Sequence, residues 1–213
     1  LRYDPLEASD VTDSEGKASF TLSRGSHVAI LHNQGTRPQY LAIYRFYIRE
    51  DKSFTINVTD LTYPVILEAI KPLTDRPFTD DAYFIVKILA FPNLMPYWFT
   101  EDNVDGQSCN VTLLLPRNMV YSFGYEDDGA RITMFVKKIQ IKKPNTHIQF
   151  DASKTGFLTA VFASPTGGFK FDVLILCPDW DETLPYTVPL FIGNESSSPW
   201  AVTTGSYNMI GSG

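Results

Sequence analysis

Carboxylates crowd the turns of this sequence, at Glu50-Asp51, Asp80-Asp81, Asp102 with Asp105, Glu126-Asp127-Asp128, and Asp179 with Asp181-Glu182. Two chemistries use such groups. Hard cations take several oxygen ligands from loops, and Glu126, Asp127 and Asp128 followed by Gly129 offer three carboxylates beside a residue that permits a sharp turn. No cofactor is expected, and calcium is the metal candidate that this pattern suggests. A pair of carboxylates roughly 5–10 Å apart in a groove could instead serve a glycoside hydrolase. Aromatic side chains share these turns: Trp180 lies between Asp179 and Asp181, and Tyr125 precedes Glu126. A ring among carboxylates can stack on a sugar or anchor a protein partner, which makes Trp180, Tyr125, Asp179 and Asp181 the candidate contact residues. Ordinary solvated turns, with rings folded back on their own domain, explain the same residues without a ligand.

Other catalytic machinery is missing from the sequence. There is no G-x-S-x-G elbow, and Ser26-His27 would point to opposite faces of a strand rather than form a dyad. His27, His32 and His147 lack metal-ligand spacing, and no CxxC pair or HExxH run occurs. Gly167-Gly168 suits a tight hairpin turn rather than a phosphate cradle. The dense basic patch, Lys137-Lys138 with Lys142-Lys143, interrupts the apolar phase of Ile132, Met134 and Val136, which resumes one residue late at Ile139 and Ile141. That slip predicts a β-bulge whose lysines keep a sheet edge from pairing; an anionic-glycan site is the sharper alternative.

The chain has 213 residues, 44% of them hydrophobic and only 20% charged, with a net charge of −6. This is the composition of a folded globular protein. An acidic balance argues against nucleic acid as a partner, since nucleic-acid binders carry basic stripes. No apolar run approaches the roughly 20 residues of a spanning helix. Three N-x-S/T sequons, at Asn57, Asn110 and Asn194, point to a secreted glycoprotein, and a start at Leu1 without an apolar leader suits a mature chain. The two cysteines fit that setting. Cys109 keeps step with Val111 and Leu113, Cys177 with Ile175 and Val173, so both face the apolar side. A bridge between them would close a loop of about 68 residues, worth roughly 4 kcal/mol; two buried free thiols are the alternative.

The elements that must position these groups are strands. Runs rich in Val, Ile, Phe, Tyr and Thr, bounded by Gly, Pro, Asn or Asp, predict them at 18–22, 27–32, 40–49, 53–58, 65–70, 82–91, 109–115, 120–124, 132–141, 146–150, 156–163 and 169–177. Helical periodicity is nearly absent. The second half also repeats the order of the first: Ser53 to Val58 matches Asn145 to Phe150 in apolar phase at an offset of 92 residues, and Ile88 to Pro92 matches Leu174 to Pro178. This predicts an all-β fold of two tandem β-sandwich (jelly-roll or CUB-like) domains. Residues 1–92 would form the first domain, 93–108 a linker or long loop, 109–192 the second domain and 193–213 a polar tail.

A closing strand rich in Phe and apolar residues, Phe169-Lys170-Phe171-Asp172-Val173-Leu174-Ile175, preceded by a pair of long strands, looks like the nematode CUB-like domain. The resemblance could cover 18–92 and 109–178. It implies a secreted β-sandwich module without assigned chemistry, although the first half lacks the cysteines usual in CUB-type modules. The function expected is that of a secreted, non-enzymatic recognition module that presents its loops to an extracellular protein or glycan. A carbohydrate-active hydrolase using the loop carboxylates is the first alternative, and a structural coat or capsid subunit the second. Oligomeric state does not follow from the sequence.

Overall fold

Alternation of apolar and polar side chains builds most of the strands. Along Ser108–Pro116, Cys109, Val111, Leu113 and Leu115 are fully buried while Thr112 is exposed, the two-residue period of a strand with one face on a core. The computed structural model describes residues 8–33, 35–91, 94, 96–158, 173–178, 189–191, 200–204 and 207–212. In chain order these form β1 (Gly25–Asn33), β2 (Gln39–Ile48), the short helix α1 (Val58–Leu61), β3 (Thr62–Ile70) and β4 (Ala82–Ile88). Next come β5 (Tyr97–Thr100), β6 (Asn103–Val104), β7 (Ser108–Pro116), β8 (Val120–Asp127), β9 (Ile132–Gln140) and β10 (Thr146–Asp151). The last are β11 (Thr155–Leu158), β12 (Val173–Pro178), β13 (Pro189–Phe191), β14 (Trp200–Thr203) and β15 (Tyr207–Ser212).

The strands make three sheets. The first runs β1-β2-β7-β3-β10, with β6 also on β7; the second runs β11-β14-β9-β8-β4-β5; the third is β13-β12-β15. Most neighbours are antiparallel, but β2 with β7, β3 with β10 and β9 with β14 are parallel. Leu41, Leu67, Val111 and Phe150 of the first sheet belong to the same core as Phe84, Phe99, Phe123 and Ile132 of the second. The fold is thus all-β and sandwich-like, with apolar burial between two six-stranded sheets as its main stabilising term.

Pairing crosses the boundary expected at 93–108. Strand β3 lies antiparallel to β7 from Thr62 opposite Pro116 to Ile70 opposite Ser108, and β4 lies antiparallel to β8. The expected linker itself supplies β5 to the second sheet and β6 to the first. It is fastened by side chains too: Asp102 pairs with Arg37 and accepts from the Thr112 N–H at 2.6 Å, and Asp105 accepts from the Ser108 N–H at 2.6 Å. The two halves therefore share sheets instead of closing as separate sandwiches. The expected polar tail is corrected as well, since β14 lies between β11 and β9 with Ala201 and Val202 buried, and β15 pairs with β12.

The internal match fails at its clearest pair. Residues 146–151 form β10, but 53–57 are irregular and lead into α1, where Asn57 caps the helix. Residues 18–22 are irregular too. Apolar phase alone does not make a strand, because a strand's N–H and C=O groups need a neighbour. The bulge expected near Lys137 and Lys138 is present: Tyr121 faces Ile139 and Phe123 faces Val136, and Lys138 has a positive φ of 33°. β14 pairs only with Ile132 and Thr133 of β9, so the lysine stretch falls where β9 has no strand on that side among the described residues.

A fragment ending before β7 lacks the partners of β3 and β4. We expect residues 1–107, expressed alone, to give a disordered far-UV spectrum and rapid proteolysis; a stable β-rich fragment would restore the tandem division.

Candidate functional site

Strand β8 ends in Tyr125-Glu126-Asp127, with Asp128 opening the turn that follows, and the two-residue period of the strand sends neighbouring side chains to opposite faces. Tyr125 and Asp127 point into the sandwich and are fully buried. Asp127 is held by four donors. Its Oδ1 accepts from the Thr79 hydroxyl at 2.6 Å and the Ala130 N–H at 2.8 Å, and its Oδ2 from the Thr79 N–H at 2.9 Å and the Tyr125 hydroxyl at 3.0 Å. Every partner donates, which only a carboxylate can accept in full. The expected role of Tyr125 as an exposed contact residue is thus corrected: its ring packs against Phe78, Phe84 and Phe150.

Glu126 faces the other way and is also buried, at 6% exposure. Burial, then the charges of Asp128 and Asp81, push its carboxyl from the ordinary 4.5 up to about 7. Burial and the charge of Asp81 raise Asp128 as well, and its Oδ1 is buried without a hydrogen bond. The calcium site expected from Glu126, Asp127 and Asp128 does not assemble, because strand alternation splits the three carboxylates between faces. Among the described residues no group of His, Cys, Asp or Glu side chains could hold a metal ion. Gly129 serves another purpose than a metal turn. A Cβ there would come within 2.6 Å of the Thr79 hydroxyl, so its bareness lets Thr79 reach Asp127.

The disulfide expected between Cys109 and Cys177 is not formed: Cys109 is a free, buried thiol. Burial pushes it up to about 12, which keeps it protonated and unreactive. The backbone of Cys177 belongs to β12 in the third sheet, away from the pairing partners of β7; its side chain lies outside the described residues. So do the contact candidates Trp180, Asp179 and Asp181 and the sequon residue Asn194. Of the other sequons, Asn57 is exposed at the start of α1, its Oδ1 accepting from the Thr59 N–H and hydroxyl at 3.2 and 2.8 Å. Asn110 is half-buried on β7, between Glu68 and Asn103 of the flanking strands.

A different cluster is open to solvent. On β2, Leu41 and Ile43 enter the core, while the alternate residues Tyr44 and Phe46 line the outer face of the first sheet. His27 of β1, opposite Phe46 in the register, stacks on its ring at 5.5 Å. Phe54 closes the group at 4.9 Å from Phe46 and 5.2 Å from Tyr44, yet stays 38% exposed. The irregular segment 51–57 carries Phe54 to this face, and α1 behind it lies against β2 and β7. The sequence does hold a signal for this cluster, which the carboxylate turns overshadowed. In Gln39–Ile48 both alternating phases are rich in apolar residues, so the strand has a second apolar face to cover.

Two outcomes follow. Asp127→Asn keeps the shape but turns an amide N–H₂ toward donors, and we expect it to cost roughly 2–4 kcal/mol by denaturant unfolding. For Glu126, the folded chain keeps a proton that the unfolded chain releases between 4.5 and about 7. Stability is thus fullest below that interval and falls as pH rises through it, by on the order of 2–3 kcal/mol; Glu126→Gln should flatten this slope when unfolding is measured on either side. The sequence matches no known protein family and no curated protein, so a functional reading rests on this geometry.

Proposed function

We propose that the protein is a secreted, non-enzymatic recognition module whose contact surface is the aromatic cluster His27, Tyr44, Phe46 and Phe54, and whose partner is an extracellular protein or glycan. The observation that carries this reading is the half-open cluster itself: rings that could be buried in a core stand together on the outer face of a sheet, with Phe54 38% exposed. Grouped exposed apolar side chains mark contact surfaces more often than scattered ones do, and aromatic rings bring large contact area at small entropic cost. The resemblance to the nematode CUB-like family belongs to the same proposal, as does secretion, which the exposed sequon at Asn57 supports.

A glycan hydrolase has one observation in its favour, the raised carboxyl of Glu126 beside Asp128 and Asp81. Its burial at 6% exposure weighs against that role, since a general acid must reach the leaving oxygen.

Phe46→Ala combined with Phe54→Ala should weaken capture of the partner from extracellular protein and glycan arrays by at least roughly 30-fold, the cost of truncating about 2 kcal/mol of anchor. Glu126→Gln should leave capture unchanged. Equal binding by the double variant, with its far-UV spectrum intact, would remove the aromatic face from the function. On protein made in a eukaryotic secretory host, intact-mass analysis should find a glycan that Asn57→Gln eliminates.

A further inference from the structure

Strand β2 changes character along one of its faces. Leu41 and Ile43 are buried in the core, but the same alternating phase continues past them with Arg45, Tyr47 and Arg49, all exposed, Tyr47 to 51%. This face lies opposite the one that bears Tyr44 and Phe46. Its neighbours on β1 are Val28 beside Arg45 and the short, exposed Ser26 beside Tyr47, so no large side chain of β1 covers the ring. The guanidinium of Arg49 stands over the Tyr47 ring at 5.4 Å. Such a cation–π contact steadies the group and leaves its N–H donors for a further partner.

More positive charge gathers at this end of the β1–β2 ribbon. Arg24 precedes Gly25, which pairs with Ile48, and Lys52 follows β2 closely in sequence. Arg24, Arg45, Arg49 and Lys52 outnumber Glu50 and Asp51 there, in a chain whose net charge is −6. Among the described residues none of the four pairs with a carboxylate, whereas Arg37, at the other end of the ribbon, pairs with Asp102.

We propose that this basic face of β2 is a second contact surface, and that it binds a linear glycan carrying sulfate groups. Charge complementarity selects an anion, and the guanidinium groups of Arg45 and Arg49 are planar forks that grip an oxyanion through paired N–H donors. Tyr47, between the two forks, favours a sugar over an acidic peptide, because the apolar face of a sugar ring packs on an aromatic side chain. The strand also holds Arg45 and Tyr47 roughly 6.5 Å apart along its length. A fixed spacing of charge and ring suits a polymer that repeats both. The surface is separate from the aromatic cluster of His27, Tyr44, Phe46 and Phe54.

Titration calorimetry with heparin oligosaccharides should detect binding to the wild type at physiological salt, weakening as salt rises. Arg45→Ala combined with Arg49→Ala should weaken it by at least roughly tenfold with an unchanged far-UV spectrum. Arg45→Lys combined with Arg49→Lys, which keeps the charges but loses the forks, should restore it only in part. Two controls, Lys137→Ala with Lys138→Ala and Phe46→Ala with Phe54→Ala, should bind heparin as the wild type does, so this proposal and the aromatic reading fail separately. On the unaltered protein, bound heparin should shield Arg45 and Arg49 from an arginine-specific dicarbonyl reagent, read by peptide mass mapping. A wild type that does not bind heparin, undiminished binding by the double alanine variant at 45 and 49, or an equal loss in the lysine control would each overturn the proposal. So would hyaluronan, which has carboxylates but no sulfate, or polyglutamate binding as tightly as heparin, or labelling of Arg45 and Arg49 that heparin leaves unchanged.

Discussion

Four hydrogen bonds converge on the buried Asp127 carboxylate inside the core, from the Tyr125 hydroxyl, the Thr79 hydroxyl and N–H, and the Ala130 N–H. Tyr125 and Asp127 belong to β8 of the second sheet, and the Tyr125 ring packs on Phe150 of β10 in the first, so this set of bonds holds the end of β8 against the facing sheet. The far oxygen of Asp127 takes in the loop before β4 through Thr79 and the turn after β8 through Ala130. A buried carboxylate is costly unless its lone pairs are filled, and here four donors fill them. That requirement spreads outward. It demands a bare backbone at Gly129, a hydroxyl at position 79, and a β8 register that puts Glu126 on the opposite face, where no such set of donors awaits it.

The other half of the first sheet is governed by what is missing. β2 touches β7 only at Gln39 and Tyr40, opposite Leu113 and Leu114. Beyond that point the β1–β2 ribbon has no further neighbouring strand among the described residues, and its outer aromatic residues pack on each other and on Phe54. The segment bearing Phe54 trades a place in a sheet for this contact, and Asn57 stops it by capping α1. Rigid core and open aromatic face therefore occupy opposite ends of the same strand, β2.

The all-β class, most strands and the bulge on β9 were legible in the sequence, because each depends on local alternation and its interruptions. Partners were not. The apolar phase of β3 is the same whether it lies beside a strand of its own half or beside β7 and β10, and only the assembled core selects among them. For that reason a real similarity of pattern between 53–58 and 145–150 was read as a repeat, and four strands, β5, β6, β14 and β15, escaped notice in segments that looked like linker or tail, while β13 was missed within the expected second domain. The acidic turn at 126–128 misled in a related way. Adjacent carboxylates suggest a shared site in one dimension, but a strand parts them, and nothing near Asp127 in the sequence announces the distant Thr79 that occupies both its oxygens.

Interleaving also sets the order in which a growing chain can become a structure. β3 and β4 leave the ribosome well before β7 and β8, their hydrogen-bonding neighbours, and β9 and β11 must wait for β14, which runs between them. Contacts this distant along the chain are slow to form, and until they do, apolar strands with open edges remain exposed to other chains. The nascent protein is thus a natural client for a holding chaperone, and a translation pause would protect it least just after β4 has emerged.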